Sequence, residues 1–209
     1  VRDVDELAKL CGWRGASPET TEWDAVEQLM GVALPEEYKH LLRVFPPGKF
    51  LSPYGEGIAV HPPQLVYGIP DYGNQFALEM DELREWRDDH PDDVPDPVFP
   101  EPGGLIPWAW AVRPVVLWSQ EPGGWTVVVS NASVWRVHDD DPVLERFAVG
   151  TLEFLAGYVT GDIWSRLLAP NYDEPDALPA REPASTPRYV PFRAAEWARM
   201  RTAPGPRVW

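Results

Sequence analysis

Four histidines, one cysteine and several runs of aspartate are the residues of this chain whose types could do chemistry. His40, His61, His90 and His138 form no HExxH pair, and none has a second His or Cys at metal-ligand spacing. His40 follows Lys39 in a helical stretch, the setting of a surface histidine. His138 precedes Asp139, Asp140 and Asp141, and a His–Asp cluster can hold a hard divalent ion. The same run stands just before Pro142, where acids serve turn geometry, so the reading is no metal site and no cofactor. Cys11-Gly12-Trp13 carries part of a thiol-nucleophile signature with no local histidine, and a small buried thiol packing a helix accounts for it better. No GxSxG elbow, P-loop or GxGxxG is present. Glu36 with Glu37, and Glu79 with Asp81 and Glu82, could pair as acid and base. They stand beside lysine and arginine on helical faces, where carboxylates are solvated. No catalytic residue is assigned, and the chain is read as a non-enzyme.

Composition bounds what must position these residues. The 209 residues suit one domain with a tail, 1–169 and 170–209. A chain of this size buries roughly 70% of its unfolded surface, so its core needs no staples. The 25 prolines predict short elements and many loops, and the 11 tryptophans supply large rigid surfaces. A single cysteine excludes an internal disulfide and fits a reducing cytoplasm. The first ten residues are charged and no signal-like apolar run follows. No stretch nears the roughly 18 apolar residues of a membrane span. With 15 Arg against 3 Lys, a GC-rich bacterial source and a cytoplasmic location are expected.

The net charge of −15 is uneven. Residues 1–180 hold 31 acids against 12 Lys and Arg, whereas 181–209 hold two acids and six Arg. Residues 79–101 alone hold ten carboxylates. Such a body repels nucleic acid and anionic membrane and attracts basic partners. The C-terminal arginines are expected to serve self-association or a fold-back contact.

Residues 4–10 read as a short amphipathic helix ended by Gly12. Ser17-Pro18-Glu19 offers an N-cap, a first-turn proline and a first-turn acid. The helix it opens puts Trp23, Val26, Glu27 and Met30 on one face, and Gly31 suits its end. Pro35 starts another helix with Tyr38, Leu41, Leu42 and Phe45 as its stripe. Short strands are expected at 57–60 and 65–69, a helix at 75–88 and an exposed acidic loop at 91–104. Strands follow at 115–118, 125–129 and 134–137, the first two joined at Pro122-Gly123-Gly124. A helix covers 151–159, and from Pro170 the chain reads as an extended tail with one or two helical turns at 192–199.

Several of these segments together resemble one family. Trp23 with Glu27, then Gly31, then Leu34-Pro35-Glu36-Glu37-Tyr38 and Leu41-Leu42, is similar to the helix pair that opens SUKH domains. Residues 45–50 resemble that family's turn into its first strand. Gly103-Gly104-Leu105-Ile106-Pro107-Trp108 resembles its GLIPW segment, followed by strands carrying Trp118 and Trp125 and a closing helix at 151–155. The resemblance covers about residues 17–165. The segment 109–114 departs from the polar turn common in relatives, which implies a different partner.

The resemblance implies an α+β fold, a mainly antiparallel twisted sheet with flanking helices, and a role in binding. Bacterial relatives are immunity proteins that block toxins, and fungal relatives are scaffolds in cell-wall regulation. Trp23, Glu27, Leu34, Pro35, Tyr38, Leu105, Pro107, Trp118 and Trp125 are expected mainly to hold the fold. The leading expectation is an immunity protein that binds a cognate toxin domain of basic, nuclease type. Charge makes Asp88, Asp89, Asp92, Asp93, Asp139, Asp140 and Asp141 the candidate contacts. The alternatives are an intracellular scaffold or adaptor that uses its arginine-rich tail, and an enzyme with a site assembled around His138. Oligomeric state is open.

Overall fold

Three short helices open the chain, the first two ended by glycines. The computed structural model describes residues 3–17, 21–55, 57–62, 64–66, 69–71, 76–111, 114–132, 142–169 and 186–202. Helix α1 (Val4–Cys11) is capped by Asp3, whose Oδ1 accepts the Glu6 N–H at 2.8 Å. It ends at Gly12, whose φ of 68° is the left-handed conformation glycine adopts without strain. Helix α2 (Trp23–Met30) ends the same way at Gly31. It starts at Trp23, later than the expected Ser17-Pro18-Glu19 signal. Helix α3 (Glu36–Val44) follows Pro35, whose φ of −56° is set by its ring.

The remaining elements are β1 (Gly48–Leu51), β2 (Gly57–Val60), β3 (Gln64–Val66), β4 (Ile69–Asp71), α4 (Phe76–Asp89), β5 (Ile106–Trp110), β6 (Val115–Glu121), β7 (Gly124–Ser130), β8 (Leu144–Phe147), α5 (Thr151–Thr160), β9 (Tyr189–Pro191) and α6 (Ala194–Thr202). Among the described residues, seven strands form one antiparallel sheet in the order β8-β7-β6-β5-β2-β1-β9, while β3 and β4 pair separately. The chain is therefore α+β. The stretch expected as one strand at 65–69 contributes to both strands of that small pair instead.

The centre of the sheet is covered on both faces: every residue of β5 and the first five of β6 are buried. Pro107 cannot donate to a ladder, and it sits where the β5–β6 register shifts, a position that tolerates it. Helices α1, α3 and α5 pack on one another, and α5 lies on β1 and β7. Between them and the sheet, Trp108 and Trp118 stack at 5.5 Å, and Tyr38 meets Trp118 edge-on at 4.7 Å. The polar ends of two of these rings are satisfied. Trp118 donates to Thr151 at 3.0 Å, and Tyr38 donates to the His61 carbonyl at 2.8 Å. Helix α4 packs against β4 and β5 through Phe76, Met80 and Leu83, spaced one helical turn apart.

Two expectations change. The 91–104 segment does expose its acids, yet Val94 and Val98 are wholly buried, which pins the loop to the body. Over 186–202, an edge strand stands where an extended tail was expected, while helix α6 falls on the helical turns expected at 192–199. The reason is Tyr189, which fills an aromatic pocket beside β1 that local sequence reading does not reveal. The strand expected at 134–137 lies outside the described residues.

Candidate protein-interaction site

Helix α4 and the loop after it carry the densest described charge. Asp81, Glu85, Asp88 and Asp89 are exposed on the helix, and Asp92, Asp93 and Glu101 on the loop. The buried stripe of Phe76, Met80 and Leu83 forces the helix's polar side outward. Val94 and Val98 then hold the loop beneath, and Gly104 lets the chain double back. A Cβ at Gly104 would stand 2.4 Å from the Phe99 nitrogen, a backbone atom that cannot yield. The Leu105 N–H donates to the Pro97 carbonyl at 2.9 Å, and the Phe99 N–H to the Leu105 carbonyl at 3.2 Å. In the segment 103–108, the glycine pair thus serves backbone passage.

Three arginines brace the acidic surface. Arg84 pairs with Asp81 at 2.6 Å and donates to the Phe99 carbonyl at 2.7 Å. Arg87 pairs with Glu101 at 2.8 Å. Arg146, on β8, pairs with Asp96. Its neighbour Glu145 reaches the other way, accepting from Ser165 and from the Arg166 N–H at 3.0 Å. Successive strand residues face opposite sides, so β8 ties the acidic loop and the turn after α5 to the two faces of one sheet.

Asp88, Asp89, Asp92 and Asp93 sit at the exposed end of this brace. Trp86 ties the helix end to the loop: its ring stacks on His90 at 4.6 Å, and its Nε1 donates to Asp93 at 3.4 Å. The His90 N–H returns to the Trp86 carbonyl at 2.7 Å, and the Asp93 N–H to that of His90 at 3.1 Å. Asp89 and Asp92 form no ion pair with a described residue. Asp88 lies 4.0 Å from Arg87, a weak contact because Arg87 is committed to Glu101. Two of these acids also occupy the C-terminal turn of α4, where the helix dipole disfavours negative charge by a few tenths to about 1 kcal/mol each. At the other end of α4, burial and then the neighbouring Glu82 push Glu79 up to about 7.

Asp139, Asp140 and Asp141 lie outside the described residues, as does His138. Leu34, Pro35, Tyr38, Leu105, Pro107 and Trp118 are buried, and Trp23 and Trp125 are half-buried at the core's margin. Glu27 is a tether: its Oε1 accepts the Leu34 N–H at 2.7 Å and pairs with buried Lys39 at 2.5 Å.

The groups with chemical potential elsewhere are engaged in structure. Burial pushes the Cys11 thiol up to about 12, against a smaller opposing pull from Arg188. That keeps it protonated at neutral pH, the reverse of what a thiol nucleophile requires. Burial lowers His61 to about 4, outweighing a contact with the Pro62 carbonyl, so its ring is neutral. Glu36 pairs with Lys39 at 2.7 Å, while Glu37 bonds to α5. Among the described residues, no group of three or more His, Cys, Asp or Glu converges as a metal site. No described helix is long and apolar enough to cross a membrane.

Sequence reading found the acids and missed their supports. The Trp86–His90 spacing of four on a helix was the available signal. Nothing in the sequence pointed to Arg146, which arrives from a strand fifty residues downstream. No family model, curated protein or solved structure matches the chain.

Proposed function

We propose that this chain is a non-enzymatic protein-binding domain of SUKH-like type, an immunity protein that binds and neutralises a basic, nuclease-type toxin domain in the cytoplasm. The observation that carries the reading is the braced acidic turn of Asp88, Asp89, Asp92 and Asp93. All four carboxylates are exposed, Asp93 is held by Trp86, and Asp88 and Asp89 stand where the helix dipole opposes them. Exposed charges that disfavour the local structure, as Asp88 and Asp89 do, suit a partner's needs better than the fold's.

The mechanism is electrostatic. The acidic turn and the −15 net charge attract a basic surface from beyond contact distance and orient it. Ion pairing at the turn then sets the docked register and covers the surface on which the toxin receives its anionic substrate. No proton transfer or covalent step is needed. The adaptor reading required the C-terminal arginines to be displayed. Of the two whose side chains are described, Arg188 is buried and Arg193 exposed, so the tail commits part of that charge to the fold.

The test is capture of partners by the full chain at low salt and at about 0.5 M salt, where the screening length falls to about 4 Å. A basic toxin-domain protein should be captured and then released by salt. Replacing Asp88, Asp89, Asp92 and Asp93 together by Asn should slow its association about tenfold to hundredfold while leaving the fold intact. Capture that is indifferent to both salt and the four substitutions would refute the reading.

A further inference from the structure

Residues 186–202 reach a groove built from chain far upstream, and three of their side chains enter it. Arg188 is buried: its N–H donates to the Cys11 carbonyl at 3.2 Å, its Nη1 to the Ser52 carbonyl at 3.1 Å, and its own carbonyl accepts the Leu51 N–H at 2.8 Å. Tyr189 sits among the rings of Trp13, Phe45 and Phe50, with centroids 4.8–5.0 Å away, and its hydroxyl donates to the Pro46 carbonyl. Trp197, also buried, lies 5.1 Å from His61, which is itself stacked flat on Trp110.

The groove is shaped to this occupant. A Cβ at Gly48 would come within 2.5 Å of the Tyr189 hydroxyl and 2.7 Å of the Val190 carbonyl oxygen, so glycine leaves the room the strand fills. Along β1, the register sets Gly48 opposite Pro191, Lys49 opposite Val190 and Phe50 opposite Tyr189. The Phe192 N–H extends the contact to the Pro47 carbonyl at 2.9 Å. A sheet edge supplying main-chain hydrogen bonds, with pockets for alternate side chains, is the construction of a strand-addition site. Val190, which follows the two inserted residues, is 48% exposed, so the groove reads Arg188 and Tyr189 while Val190 turns outward.

The covalent connection keeps the segment close to its groove without forming the contact itself. Ala169 lines the same recess as Ser52, and Arg188 bonds the Ser52 carbonyl, so the chain leaves and returns to one neighbourhood. We propose that this groove is a peptide-docking site that recognises residues 188–197. The chain's own segment seats there in cis, and the same segment of a second copy can replace it. Exchange of an identical element makes a dimer without new contacts, and the tether favours the closed monomer until concentration approaches its effective value of about millimolar.

Two measurements on the full chain decide this. In hydrogen exchange, the amides of Leu51, Arg188 and Phe192 should open together in a step with weaker denaturant dependence than Val128. Opening of these amides only with the whole molecule overturns the proposal. Second, a protease site is placed within 174–180 and cut, and labelled peptide 186–202 is added in excess. The labelled peptide should enter the folded body and displace the cut segment. A Tyr189→Ala peptide should bind at least tenfold more weakly, and a Val190→Ala peptide should bind unchanged. A folded body that refuses the peptide overturns the proposal. So does a body that unfolds on cutting, since the segment is then part of the fold and no ligand. Uncut chains of two tag sizes, concentrated together, should yield a mixed dimer that Tyr189→Ala abolishes. Absence of that dimer removes the second copy as an occupant.

Discussion

Glu37 on α3 closes the first turn of α5: its Oε2 accepts the Leu152 N–H at 3.2 Å, across 115 residues of sequence. The N-cap position of α5 is Gly150, which has no side chain to offer. The missing cap is thus supplied from a neighbouring helix. Gly150 also makes room for it, since a Cβ there would lie 2.6 Å from that same carboxylate oxygen. Glu37→Ala should cost about 1 kcal/mol in urea unfolding. Gly150→Ala should cost a similar amount by displacing Glu37, and much less once Glu37 is already Ala. Strict additivity of the two would show that the contact is not shared.

Glu27→Ala should be among the costlier changes outside the core. Burial alone would lower the Lys39 ammonium, but hydrogen bonds with Glu27 and Glu36 outweigh it and raise it. Removing Glu27 leaves buried Lys39 with the exposed Glu36 as its remaining partner and the Leu34 N–H without its acceptor. A loss of about 2–3 kcal/mol is expected. Lys39→Met combined with Glu27→Gln, which removes both charges and keeps an acceptor for the Leu34 N–H, should stay within about 1 kcal/mol of the parent. Equal losses for the two variants would contradict this.

Stability should fall as pH rises through the range set by Glu79. Its folded pKa of about 7 exceeds the ordinary value of 4.5. The folded state therefore holds that proton more tightly, and its stabilising effect is full below pH 4.5 and lost by about pH 7. Glu79→Gln keeps the neutral shape. It should gain about 1–2 kcal/mol over the parent at pH 8, after allowing for partial solvent screening, and nothing at pH 4. Urea midpoints at the two pH values check it, and an equal gain at both would sink the assignment.

Cys11 should be nearly silent toward thiol reagents. With its thiol held near pKa 12 and buried, reaction at pH 8 should run at least a hundredfold slower than in urea-unfolded chain. Labelling at the unfolded rate in native buffer would show that the α1 end is open.

Much of this architecture was legible from local pattern. Gly12, Gly31 and Gly161 end helices because each adopts positive φ, a demand that belongs to the residue itself. The β6–β7 hairpin followed from β-branched runs around Pro122-Gly123. What local pattern missed was set by distant partners. Residues 189–191 have no strand signature of their own, and they become a strand because β1 offers an edge and a pocket for Tyr189. The acids of the candidate site were visible as composition, whereas the bracing by Arg146 depends on the placement of β8.

The β1–β9 pairing also has a consequence for synthesis. Residues 48–51 pair with β2 within a few residues of being made, but their other edge must wait for residues 189–191. At about 5–20 residues per second, that edge stands open for roughly 7–28 s on the ribosome, with the Tyr189 pocket unfilled. The nascent chain passes through this unfinished stage on every round of translation. A strand with one open edge invites pairing with neighbouring chains. Crowding of nascent chains on one messenger is therefore the moment at which this protein is most exposed to misassembly.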